Sequence, residues 1–158
     1  MKDKYLRNVA MFVLTVCTSM VSFALAQETE TRVKTKDLPK AVQQTVQAQS
    51  RGATLRGLSK EVENGATIYE AEFKVNGHNR DVSIDVNGNV VEIEEEVALS
   101  SLPPAVKATI EKNAGKGKIT TVEAVTKNNS LVAYEAHVKA AGKRSEIKVD
   151  PDGKLITK

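Results

Sequence analysis

Tyr69-Glu70-Ala71-Glu72-Phe73-Lys74-Val75-Asn76-Gly77, continued by Asp81-Val82-Ser83-Ile84-Asp85-Val86-Asn87-Gly88, is the stretch whose reading decides the fold. Tyr69, Ala71, Phe73 and Val75 alternate with Glu70, Glu72 and Lys74. That is the period of two a strand shows when one face of its sheet is buried and the other is wet. Val82, Ile84 and Val86 continue the alternation, and the Asn-Gly pairs at 76–77 and 87–88 are turn signals. The pattern returns as Tyr134-Glu135-Ala136-His137-Val138-Lys139-Ala140-Ala141-Gly142, followed by Glu146-Ile147-Lys148-Val149-Asp150-Pro151-Asp152-Gly153. The chain therefore reads as a tandem duplication of one strand-turn-strand unit.

A helix signal precedes each hairpin. Leu38-Pro39-Lys40-Ala41-Val42 and Leu102-Pro103-Pro104-Ala105-Val106 both place proline in a first helical turn, where its missing N–H has no intrahelical partner to lose. Ala41, Val42, Thr45, Val46 and Gln49 then share one helical face, and the helices should end near 50–52 and 113–117. The copies are offset by 64 residues in this part and by 65 from Tyr69 and Tyr134 onward, so the turn between carries one extra residue. Strands are expected at 54–63, 67–75, 79–86 and 89–97, and again at 118–126, 131–140, 143–149 and 154–157. The expected fold class is α+β: a tandem repeat, units 37–97 and 98–158, of a helix packed on a three- to four-stranded antiparallel sheet. Glu92, Glu94, Glu95 and Glu96, late in a fourth strand, read as charge that protects a free sheet edge.

Residues 1–26 read as a secretory signal peptide, with Lys2, Lys4 and Arg7 ahead of an apolar run and Ala24-Leu25-Ala26 as the cleavage site. A retained membrane anchor is the competing reading, diluted by Thr15, Thr18, Ser19 and Ser22. Val16 stands before Cys17 where a lipoprotein signal wants a small residue. Residues 27–36 form a polar, flexible lead. Residues 27–158 contain no cysteine, hence no disulfide framework, and twenty basic against nineteen acidic residues, which argues against a nucleic-acid partner. No stable membrane span is expected after cleavage. The charge is unevenly placed: nine basic against thirteen acidic residues in 27–97, and eleven against six in 98–158. Such a field can steer a charged partner.

No catalytic constellation emerges. Asp85-Val86-Asn87-Gly88 and Asp150-Pro151-Asp152-Gly153 begin like a calcium loop but lack its closing glutamate in a helical context, and read as turns. His78 and His137 fall at non-equivalent places with no cysteine to complete a zinc site. No Gly-x-Ser-x-Gly motif is present, and paired carboxylates such as Glu70 and Glu72 lie on an open strand face without the apolar surroundings that tune a general acid. Lys116-Gly117-Lys118, with Lys112 nearby, complements a helix C-terminus; its sharper reading is contact with an anionic polymer or lipid head group. No cofactor and no metal are expected. The candidate surface is the polar strand face, Glu70, Glu72 and Lys74 with Glu135, His137 and Lys139, as a protein-binding face.

The order Leu-Pro-x-Ala-Val, helix, Tyr-Glu-Ala hairpin, then Asp-x-Asn-Gly or Asp-Pro-Asp-Gly resembles the PepSY-like domains of exported bacterial proteins, and the subgroup similar to beta-lactamase inhibitor protein. The resemblance covers 38–93 and 102–156. It implies a periplasmic or secreted, non-enzymatic binding module that inhibits or regulates an envelope or secreted protein such as a peptidase. The alternative is an envelope sensor or carrier of a small ligand or cation. Residues 27–158 depart from an inhibitor in having no Trp and only Tyr69, Phe73 and Tyr134 as aromatics, all assigned to the core face, whereas inhibitor surfaces rest on a few aromatic or Arg anchors.

Overall fold

The computed structural model describes residues 30–63 and 65–157, so the signal peptide read at 1–26 lies outside the described residues. Within them the chain is α+β, with eight strands in one antiparallel sheet whose spatial order is the chain order. The strands are β1 (Thr31–Arg32), β2 (Ala53–Glu63), β3 (Ala66–Val75), β4 (His78–Asp85), β5 (Val90–Glu96), β6 (Lys118–Lys127), β7 (Ser130–Ala140) and β8 (Lys143–Val149). Helix α1 (Lys40–Gln49) follows β1, and α2 (Pro104–Ala114) follows β5. Pro39 and Pro103 stand immediately before the first helical residue or at its cap, and Gly115 takes a positive φ at the end of α2.

Period-two alternation sets the buried face. Tyr69, Ala71 and Phe73 on β3 and Val82 and Ile84 on β4 form one core cluster with Leu38, Val42 and Val46, the last two from α1, and Leu58 from β2. Val106 and Ile110 of α2 form a second cluster with Leu102, Val122, Ala136, Val138, Ile147 and Val149, against which Tyr134 packs half-buried. Both helices lie on one face of the sheet, and among the described residues no element covers the other.

The Asp-x-x-Gly motifs join sheet to helix. The Asp85 carboxylate accepts hydrogen bonds from the N–H groups of Asn87 and Asn89, and Asp150 does so from Asp152 and Lys154. Gly88 and Gly153, at φ +85 and +90, bring their carbonyls to Thr45 Oγ1 and Thr109 Oγ1, each 2.6 Å away. A Cβ at either glycine would sit 2.8 or 2.7 Å from Ala41 or Ala105, so only glycine permits this approach.

The sheet departs from expectation in three ways. Separate three- to four-stranded sheets do not form: β5 pairs with β6, Glu92 opposite Lys127 through Glu96 opposite Glu123, and the eight strands are continuous. Glu92, Glu94, Glu95 and Glu96 therefore lie on an interior strand, because β6 needs a backbone partner and β5 supplies it. No strand forms at 154–157; Leu155 makes one isolated bridge to Val149 and Ile156 N–H donates to the Lys148 carbonyl. In addition, Thr31–Arg32, within the stretch read as a flexible lead, pairs with β2.

Candidate functional site

The uncovered face collects the residues that alternate with the core. Across its middle run directly opposed partners Gly57, Glu72, Asp81, Glu94, Val125 and Ala133. Beside them run Ser59, Glu70, Ser83, Glu92 and Lys127. On the α2 side run Glu96, Glu123, Glu135 and Lys148. All six residues singled out from the sequence lie on this one face, but not together. Glu70, Glu72 and Lys74 stand on β3 and Glu135, His137 and Lys139 on β7, four strands apart, or roughly 19 Å at the usual strand spacing. Asp81, Glu94 and Glu123 occupy the space between.

This face is less wet than its polarity implies. Ser59 is 1% exposed and Glu135 6%, while Val125 and Ala133 on the same face are fully buried. Long side chains on adjacent strands shield one another, and a carboxylate among carboxylates loses water without gaining a counter-charge. Burial, with Asp81 and Glu61 nearby, pushes Glu70 up to about 7. Burial, then the charges of Glu123 and Glu72, raises Asp81 to about 6. Glu94 is pushed up to about 8 by burial first, then by Glu135, and by a hydrogen bond shared with Glu92 that requires a proton.

Cations meet some of this charge. Arg32 reaches over Gly57, whose missing side chain leaves the room, to pair with Glu72 at 2.8 Å. Lys127 pairs with Glu92, and Lys148 with Glu135. Burial alone would raise Glu135, but the Lys148 ammonium and a hydrogen bond from Glu146 hold it below the usual carboxylate range. Glu146 is raised in turn, by burial and then by that shared hydrogen bond. His137 Nε2 lies 3.0 Å from Glu123 Oε2, and Lys74 donates to Asn79 Oδ1 at 3.0 Å. His78 opens β4 and its Nε2 sits 3.0 Å from Glu95 Oε1.

Sequence reading missed Asp81, Glu94, Glu123 and Arg32 as members of this face. The alternation of Glu92, Glu94 and Glu96 could have placed Glu94 there, had β5 been read as an interior strand. Among the described residues, no three His, Cys, Asp or Glu side chains are arranged to hold a metal ion, and no helix is long and apolar enough to cross a membrane.

An antiparallel sheet with two helices on one side and an uncovered polar face on the other defines the class. The chain belongs to the beta-lactamase-inhibitor-like, PepSY-like family, whose model matches residues 23–91 and 67–157. The fold is similar to that of a protein from Bacteroides eggerthii provisionally described as periplasmic, at TM-score 0.62 and 19% identity over 76% of this chain and 86% of that one. It is also similar to a DUF2874 family protein from Bacteroides ovatus (TM-score 0.59, 22% identity, 76% and 85% covered). A BLIP-like protein from Bacteroides fragilis shows TM-score 0.56 and 22% identity, with 76% and 84% covered. No curated protein matches the chain significantly.

Proposed function

We propose that this protein is a non-enzymatic periplasmic or secreted binding module, built from two tandem helix-and-strand units at 37–97 and 98–158, that docks a cationic segment of an envelope or secreted protein on its open sheet face. The observation that carries the reading is the uncovered face itself, where Glu70, Glu72, Asp81 and Glu94 crowd beside one another across β3, β4 and β5. Arg32 on Glu72 is a cation already docked from the chain itself, and a partner's Lys or Arg would meet the neighbouring carboxylates in the same way. The family's inhibitor-like description supports a partner whose activity the module restrains, such as a peptidase.

Docking a cation beside carboxylates held above their ordinary range stabilises their ionised forms, so binding should release protons. The test is calorimetric titration with a lysine-rich peptide near pH 7 in buffers of different ionisation heat. The reading expects proton release, and loss of binding in a Glu70→Gln, Glu72→Gln, Glu94→Gln variant. A control, Asp37→Asn, Glu111→Gln, Asp152→Asn, removes three carboxylates, and at least as much negative charge, from exposed sites off this face and should bind as the parent does. Equal loss in both variants would reduce the effect to net charge and end the reading.

A further inference from the structure

At the β6–β7–β8 end of the open face, three cations stand in one cross-strand row: Lys118 opposite Lys139, and Lys139 opposite Arg144. All three are exposed, and none has an ion-pair partner among the described residues. Directly opposed like charges destabilise a sheet. The corresponding row at the other end avoids that conflict. There Thr54 faces Lys74 and Lys74 faces Asn79, which accepts its hydrogen bond.

A cleft of about 570 Å³ lies on the basic row, lined also by Thr120, Thr121, His137 and Val138. A bulge between Ile119 and Thr121 shapes it. Thr120 Oγ1 donates to the His137 carbonyl at 3.1 Å, whereas among the described residues no hydrogen bond holds the Thr121 hydroxyl. The lining residues include no carboxylate; beyond them Glu123 is 3.0 Å from His137 Nε2 and Glu146, on β8, faces His137.

We propose that this cleft binds a phosphate-bearing ligand, with Lys118, Lys139 and Arg144 meeting the phosphate oxygens and the Thr121 hydroxyl donating to one of them. The row spans two strand spacings, about 10 Å, so its three flexible cations can converge from three strands on one group held between them. A phosphate monoester offers three charged oxygens to such a set, and a planar carboxylate only two. The Arg144 fork can take two of the phosphate oxygens while each lysine supplies a point charge. This reading is independent of the protein partner proposed for the acidic middle of the face, and its test needs no partner.

The experiment is titration of the full chain, at fixed ionic strength, with inorganic phosphate and with chloride as reference, followed by amide chemical shifts. Shifts centred on β6, β7 and β8 are expected with phosphate, with affinity reduced about tenfold in Lys139→Gln, the loss of one charge-assisted hydrogen bond. Lys112→Gln, on α2, should bind as the parent does. A second arm uses vesicles containing phosphatidic acid, whose headgroup is itself a phosphate monoester: flotation with the vesicles that Lys139→Gln abolishes assigns the phosphate to a lipid headgroup, and binding to phosphate without flotation assigns it to a soluble ester. Overturning results are equal response to chloride and phosphate, full affinity in Lys139→Gln, or tighter binding of a glutamate-rich peptide than of phosphate.

Discussion

On the α1 side of the sheet, Phe73 lies in the same core cluster as Val46 of the helix above it; at the corresponding places on the α2 side stand Val138 and Ile110. The larger side chain comes from the strand in one case and from the helix in the other, and both clusters close. On the opposite face the two sides differ without compensation. Glu72, paired with Arg32 over Gly57, corresponds to His137, paired with Glu123 and facing Glu146. Asn79, which accepts from Lys74, corresponds to Arg144, which faces Lys139. Side-chain volume under the helices is constrained because a void or an overlap there costs stability directly. Charge on the open face is free of that constraint and has been set differently at each end.

The comparison breaks most readily at the core. Phe73 is 2% exposed, and Phe73→Ala should cost about 3 to 5 kcal/mol in denaturant unfolding. Val138→Ala removes less from an equally closed cluster and should cost about 1 to 2 kcal/mol. A Phe73→Val, Val46→Ile double variant imitates the α2 side and should recover part of the loss from Phe73→Val alone. No recovery would mean that the two clusters are not interchangeable solutions to one packing problem.

The core of this comparison was legible in the sequence because strand alternation and the Leu-Pro-x-Ala-Val helix start are local patterns. Tyr69, Ala71, Phe73, Ala136 and Val138 are all buried by the rule that named them. The open face was legible only in its membership. Whether β5 ends one sheet or joins two depends on backbone pairing between residues some thirty positions apart, and no local pattern states it. The burial of Glu135 and Ser59, and the crowding that raises Glu94, follow from that pairing and were hidden with it. The docking of Gly88 on Thr45 left a trace in the sequence, since Thr45 and Thr109 keep their spacing to Gly88 and Gly153 to within one residue. That trace has meaning only once the turn is known to fold back onto the helix.

The second test turns on pH and on the acidic middle, where Glu94 lies. In the folded chain Glu94, Glu70 and Asp81 hold their protons to higher pH than in the unfolded one. Between the ordinary carboxylate range and about pH 8, the folded state therefore binds more protons, and stability falls as pH rises. Melting should be higher at pH 5 than at pH 8. Glu94→Gln should raise stability at pH 8 by about 1 kcal/mol after allowance for solvent screening, and change it little at pH 5. If Glu94→Gln were destabilising at pH 8, the Glu94 carboxylate would be a favourable partner to its neighbours and the crowding argument would fail.

The smallest effect separates the two ends of the face most directly. Lys139 is flanked on both sides by a cation, whereas Lys74 is flanked by Thr54 and Asn79. Lys139→Gln should relieve repulsion and stabilise the ligand-free chain by a few tenths of a kcal/mol at low salt, near the lower end for directly opposed pairs. Exposed charges are screened within about 3 Å at molar salt, so the gain should vanish there. Lys74→Gln gives up one exposed hydrogen bond and relieves nothing, so it should be neutral or slightly destabilising at any salt. A salt-independent gain at Lys139 would point to strand propensity as its source. A gain of equal size at Lys74 would show that the two ends carry the same electrostatic strain, and the contrast drawn between them would not hold.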